Sequence, residues 1–180
     1  MLYTYKQCVE RFGGKYNLQK TVIAGLIHKI EPGIYSDKEQ ATTLAVIATK
    51  YPEAVITMDS AFYYHGLTDV IPDYYHIATP RRSKPLKDPR IHQSFVDERF
   101  FLFGIETMQR RDATFNIYDK ERMLIELLSN KNKLPFDYYK EILGNYRNLI
   151  YELDVERIQE YAAAFPKHKM IGEALEAEVF

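Results

Sequence analysis

Apolar positions recur along the chain at two spacings, and the elements change where the spacing changes. YTYKQCVERF (3–12) has the spacing of a short amphipathic helix, stopped by Gly13 and Gly14. In NLQKTVIAGLIHK, Asn17 reads as an N-cap, and Leu18, Val22 and Leu26 follow at steps of four, which predicts a second helix with one buried face. HKIEPGIYSD alternates around Pro32-Gly33, the chemistry of a tight hairpin turn. Ser36 and Glu39 have capping-box spacing and predict a helix running to about Lys50, where Tyr51-Pro52 ends it. AVIT (54–57) reads as a strand, 59–65 as a short helix closed by Gly66, and DYYHIAT (73–79) as a strand again. RRSKPLKDPR (81–90) must be a loop, because Pro85 and Pro89 withhold backbone donors and restrict their predecessors. IHQSFV, RFFLFGI, IETMQR and ATFNIYD predict three or four strands, antiparallel in view of their short connections. From Asp119 onward the periodicity is helical. Asp119 caps ERMLIELLSN, Pro135 and Asp154 precede two further helices, and HKMIGEALEAEVF forms the last.

The expected class is α+β, with a central antiparallel sheet and a helical C-terminal tail from about residue 119. Helix, helix and β-ribbon within the first 36 residues outline a winged helix. The full form carries one more helix before these, and the chain begins too late to supply it, so a truncated head is expected. The division is a head over 1–36 and an α+β domain over 37–180.

Charge sharpens the reading of the head. The whole chain is near neutral, at −1. Residues 1–36 hold five bases (Lys6, Arg11, Lys15, Lys20, Lys29) against Glu10 and Glu31, or +3, which leaves −4 for the rest. A basic end on an otherwise acidic protein points to nucleic acid at that end. Lys15, Gln19 and Lys20 on the second helix, with Lys29 and Tyr35 on the ribbon, are the expected DNA-contact side chains, since such groups reach phosphates and base edges. An ordinary helix and hairpin with solvated charges is the alternative. Arg81, Arg82, Lys84, Lys87 and Arg90 make loop 81–90 a second basic stretch: a nucleic-acid contact, an acidic-partner contact or a solvated loop. The 15 Tyr residues, several at helical spacing in 138–161, read as packing residues more readily than as base-stacking platforms.

Candidate catalytic chemistry centres on MDSAFYYHG. Asp59, Ser60 and His65 invite a hydrolytic reading, but no nucleophile-elbow glycines flank Ser60, and five residues place Ser60 and His65 about 140° apart around a helix. They read instead as a helix start, with Asp59 or Ser60 as its cap, and a His65-Gly66 helix stop. A nuclease built on Asp73, Asp97 and Glu98 lacks a recognisable motif. The five histidines show no metal-ligand spacing, and a lone Cys8 cannot build a disulfide or a thiolate site. No phosphate-binding glycine loop or dinucleotide fingerprint is present. The chain is therefore expected to be non-enzymatic, with no cofactor and no metal. It has neither an apolar run long enough for a bilayer nor a secretory leader at its start, so a cytoplasmic protein is expected.

YKQCVERFGGKYNLQKTVIAGLIHKIEPGIYSD resembles the amino-terminal region of the AbiEi family of abortive-infection antitoxins and transcriptional regulators. MDSAFYYHGLTDVIP, with Asp59, Ser60, His65 and Gly66, is similar to the family's signature, and the similarity continues through YDKERMLIELL and LPFDYYKEIL. The resemblance implies a non-catalytic phage-defence antitoxin from a type IV toxin–antitoxin operon. It implies a nucleotidyltransferase-like toxin as functional partner, with no stable complex required. It also implies autorepression through inverted repeats upstream of the operon, with DNA contacts at Lys15, Gln19, Lys20, Lys29 and Tyr35. A protein-interaction module that has lost DNA binding is the alternative, with loop 81–90 and the acidic tail as its surfaces.

Overall fold

The computed structural model describes residues 1–179; the end of the last expected helix, Phe180, lies outside them. The fold is α+β with a helical C-terminal region. Two compact units divide it, one of Met1–Ala54 with Thr107–Asn116, the other of Val55–Glu106 with the chain from Ile117 onward. No helix among the described residues is long and apolar enough to cross a membrane.

In the first unit, β1 (Leu2–Thr4), α1 (Tyr5–Phe12), α2 (Lys15–Ile23), β2 (His28–Glu31) and β3 (Ile34–Ser36) follow in order. Their antiparallel sheet runs β1-β3-β2, with Leu2 opposite Ser36 and Lys29 opposite Tyr35. A reciprocal cap starts α1: Thr4 Oγ1 accepts from the Gln7 amide at 3.3 Å, and Gln7 Oε1 from the Thr4 amide at 2.7 Å. Gly13, at φ 71°, ends it. Cys8, Leu18, Ile27 and Tyr35 form the core of this unit, with Tyr3, Val9, Phe12 and Val22 around them.

Three local expectations are corrected here. Asn17 does not cap α2, which begins two residues earlier after Gly14; its amide donates instead to the Phe12 carbonyl at 3.0 Å. Leu26 is 71% exposed, because Gly25, at φ 69°, breaks the helical period and hands the inward position to Ile27. Ser36 belongs to β3, where it pairs with Leu2 and His28, so the capping box with Glu39 does not form. The next helix, α3 (Thr43–Lys50), starts later, at Thr42, whose hydroxyl accepts from the Ala45 amide. Asp112, at the tip of a later hairpin, binds Thr42 twice, from its amide at 2.9 Å and its hydroxyl at 2.6 Å.

The second unit begins with β4 (Val55–Ile56) and α4 (Met58–Tyr64), then β5 (Tyr75–Pro80), β6 (Ile91–Val96) and α5 (Glu98–Phe101). The hairpin β7 (Ile105–Arg110) and β8 (Ala113–Tyr118), most of which belongs to the first unit, leads to α6 (Lys120–Ser129), α7 (Phe136–Asn148), α8 (Val155–Ala164) and α9 (His168–Ala174). The strand order of the sheet is β6-β5-β4-β8-β7. The sheet is mixed: β6 runs parallel to β5, from Tyr75 opposite Ile91 to Pro80 opposite Val96, where antiparallel pairing was expected. A six-residue strand is about 20 Å long, and the ten residues of loop 81–90 reach about 33 Å, enough to return to the strand's start without a helix. RFFLFGI is not a strand. Asp97 accepts from the Arg99 amide and turns the chain into α5. The core collects Phe62 and Leu67, Ile77 of β5, Ile117 of β8, the apolar face of α6, and Tyr139, Ile142 and Tyr146 of α7.

Candidate nucleic-acid interface

Four of the five expected DNA-contact side chains meet in one place. Lys15, Gln19, Lys29 and Tyr35 line a cleft of about 320 Å³ in the first unit, floored by Tyr5, Leu18 and Val22. α2 brings Lys15 and Gln19 together because four residues make about one turn. The ribbon adds Lys29, whose partner across the ladder is Tyr35. Its turn at Pro32-Gly33 is tied to the start of α1, where the Tyr5 amide donates to the Gly33 carbonyl at 2.8 Å.

Tyr35 differs from the other three. It is a core residue, 9% exposed, with its ring 6.4 Å from that of Tyr5, and burial pushes its phenol pKa up. Its place is to shape the cleft wall, and a direct DNA contact from a side chain this enclosed is not supported. Lys20, the fifth residue, lies along α2 with its ammonium 4.6 Å from the centre of the Tyr16 ring. Tyr16 was not anticipated, although its i, i+4 spacing to Lys20 was visible in the sequence. Arg11 faces the rings of Tyr3 and Phe12, at 5.0 and 5.6 Å from their centres. The cleft thus offers two ammonium groups and one amide beside an aromatic wall, which suits phosphate and base-edge contact.

Loop 81–90, in the second unit, is ordered by one glutamine. Gln93 accepts from the Leu86 amide at 2.8 Å and donates to Thr79 Oγ1 at 2.8 Å and to the Lys84 carbonyl at 3.3 Å. Arg90 is committed to the buried Asp88 through Nε at 2.8 Å and a terminal nitrogen at 2.6 Å. It is withdrawn as a contact candidate. Arg82 lies 3.6 Å from Glu98, while Arg81, Lys84 and Lys87 are exposed.

Residues 58–66 are held by hydrogen bonds to neighbouring elements. Ser60 is fully buried; its hydroxyl donates to the Tyr74 carbonyl at 3.1 Å and accepts from the His76 amide at 2.9 Å, clamping α4 to β5. His65 Nε2 lies 2.7 Å from the Tyr118 carbonyl, so this nitrogen carries the proton. Asp59 is in the first turn of α4, not at its cap, and lies 3.6 Å from His76 Nε2. Gly66, at φ 71°, closes the helix as expected. With both atoms spent on backbone partners, Ser60 and His65 do not form a nucleophile–base pair. The nuclease carboxylates are dispersed as well: Asp97 binds Arg99 at 2.9 Å, Glu98 faces Arg82, and Asp73 lines a different cleft.

Burial lowers the pKa of His65, more than its bond to Tyr118 raises it, and burial likewise lowers that of His76 against the pull of Asp59. The unfolded chain then binds more protons than the native one near and below pH 6.5, and native stability is lost as pH falls through the depressed values. Unfolding free energy measured by denaturant titration is expected to rise as pH is raised through the ordinary histidine range, and His65→Gln to flatten that rise. Equal slopes for the two proteins would remove His65 from the account.

Compared with known proteins, the chain matches no family model, and no curated protein matches it.

Proposed function

We propose that this chain is a non-catalytic, cytoplasmic DNA-binding regulator and antitoxin of the abortive-infection type. In this reading it represses its own operon at inverted repeats and counteracts a nucleotidyltransferase-like toxin without a lasting complex. The observation that carries the DNA-binding half is the head: strand, helix, helix and ribbon, with Lys15, Gln19 and Lys29 lining one cleft and Lys20 on the same helix. Its strand order, first beside third, supports a winged-helix-like reading of this segment. The antitoxin half rests on the AbiEi resemblance of the signature and of the segments after it.

The test is a mobility-shift titration on DNA from upstream of the gene at several salt concentrations. Replacing Lys15, Lys20 and Lys29 with Ala is expected to weaken binding about 10²–10³-fold at moderate salt and to reduce the log–log salt slope by about 2.7. A parent protein that shifts no DNA at any salt would sink the repressor half. Growth rescue on co-expression with the adjacent gene tests the antitoxin half separately. A second reading, a protein-binding head, is favoured by exposed Tyr16, Ile23 and Leu26 on and just after α2. A head that binds no DNA but captures the adjacent gene's product through those residues would support it.

A further inference from the structure

Three irregularities meet in one cavity of the second unit. Of the three non-glycine residues at positive φ among the described residues, Met58 (44°) and Lys167 (67°) both line it. So does Ser129, whose buried hydroxyl is without a hydrogen-bond partner among the described residues. Strained backbone and an unpaired buried hydroxyl each cost stability and persist where the surroundings impose them, most often at ligand sites. The cavity measures about 560 Å³, within the range of small-molecule sites.

Its charges favour an anion. The two carboxylates in the wall are engaged: Glu126 by Arg122 at 2.7 Å and by Asn130, and Asp59 by Tyr138 at 3.3 Å with His76 nearby. Two ammonium groups remain. Lys133 has no carboxylate partner among the described residues, and Lys167 reaches only the Ser129 carbonyl, at 3.3 Å. Aromatic rings complete the lining. Phe95 offers the accessible face, 45% exposed on β6, while the Phe100 and Phe165 rings lie 4.8 Å apart and Phe165 is largely buried beside Arg122. The paired imidazoles of His76 and His92, 4.9 Å between centres, add hydrogen-bonding groups along the wall. Two ammonium groups and a hydroxyl suit a dianionic phosphate; aromatic faces with polar ring atoms beside them suit a base.

We propose that this cavity binds a phosphorylated nucleoside, with its phosphate between Lys133, Lys167 and the Ser129 hydroxyl and its base against Phe95. The site is separate from the proposed DNA contacts of the head and does not depend on them. The ligand's source is either a free mononucleotide or the phosphorylated end of a nucleic acid.

Titration calorimetry on the full chain tests this with the common ribonucleoside 5′-monophosphates, the matching nucleosides, inorganic phosphate, and a short 5′-phosphorylated oligonucleotide beside its unphosphorylated form. At least one phosphorylated probe is expected to bind roughly tenfold more tightly than both its unphosphorylated form and inorganic phosphate. Binding of the monophosphates identifies a free nucleotide as the source; binding of the oligonucleotide alone identifies a chain end. Lys133→Ala is expected to weaken binding about tenfold. Lys167→Gly is expected to weaken it similarly without lowering the thermal midpoint, since glycine adopts the left-handed conformation freely. The proposal is overturned if no phosphorylated probe binds at millimolar concentration, if inorganic phosphate binds as well as the nucleotides, or if both lysine variants bind like the parent.

Discussion

Arg122→Met is expected to lower the unfolding free energy by about 3–5 kcal/mol, measured by denaturant titration. The guanidinium is wholly removed from solvent within the second unit. Two of its nitrogens hold Glu126 Oε1, at 3.2 and 2.7 Å, and a third donates to the Phe100 carbonyl at 2.8 Å. Its carbon lies 4.0 Å from the centre of the Phe165 ring and 4.6 Å from that of Tyr118. Methionine fills part of the space but leaves Glu126 and the Phe100 carbonyl without their donor, and an unmatched charge at a largely enclosed site outweighs the gain in apolar contact. The double variant Arg122→Met, Glu126→Leu removes both charges and is expected to recover part of the loss. A single variant within about 1 kcal/mol of the parent would show that the pair is solvated and that its burial does not matter.

Gly104→Ala is expected to cost about 2–4 kcal/mol, from left-handed backbone strain plus overpacking. Gly104 has φ 72°, and an added Cβ meets Arg122 Cβ at 2.6 Å and Asp119 Oδ1 at 2.8 Å. Neither can yield cheaply. The Gly104 carbonyl accepts from the Asp119 amide, while Asp119 Oδ1 caps α6 through the Arg122 amide at 2.7 Å. Asp119 Oδ2 receives the Tyr161 hydroxyl at 3.1 Å and the Arg157 guanidinium at 3.3 Å. Burial still raises its carboxyl above the usual range, so this cap is already desolvated, and displacing it exposes several donors together. Gly66→Ala is the control: it has nearly the same φ but open space around it, and should cost only about 1 kcal/mol. Equal losses at the two glycines would show that crowding at Gly104 contributes nothing.

The features legible in the sequence are those fixed by neighbours along the chain. Asp119 caps its helix as expected, Asp154 precedes its helix as expected and proves to be its cap, both through bonds to the amides three residues on, and Pro32-Gly33 turns the ribbon. The head cleft was legible for the same reason: one helical turn joins Lys15 to Gln19, and a short hairpin returns Lys29 beside them. Features set by distant partners were hidden. Ser36 looks like a cap until β1 claims its backbone, and Arg122 looks like a solvated charge until Phe100, Glu126 and Phe165 close over it. Loop 81–90 resembles a simple connection, and its ability to reverse the direction of β6 depends on reach rather than on residue type. The cavity was out of sight altogether, since its wall draws on residues from Thr57 to Lys167 that no local pattern links.

The first compact unit is assembled from two separate stretches of chain, and this bears on the order in which it is completed during synthesis. Met1–Ala54 emerges first, yet Asp112, which holds the start of α3, and Asn116, which donates to the Pro52 carbonyl at 3.2 Å, are translated only after much of the second unit. A nascent chain that stops before Asn116 therefore presents an unfinished amino-terminal unit, and a fragment ending at Ala54 stays unfinished permanently.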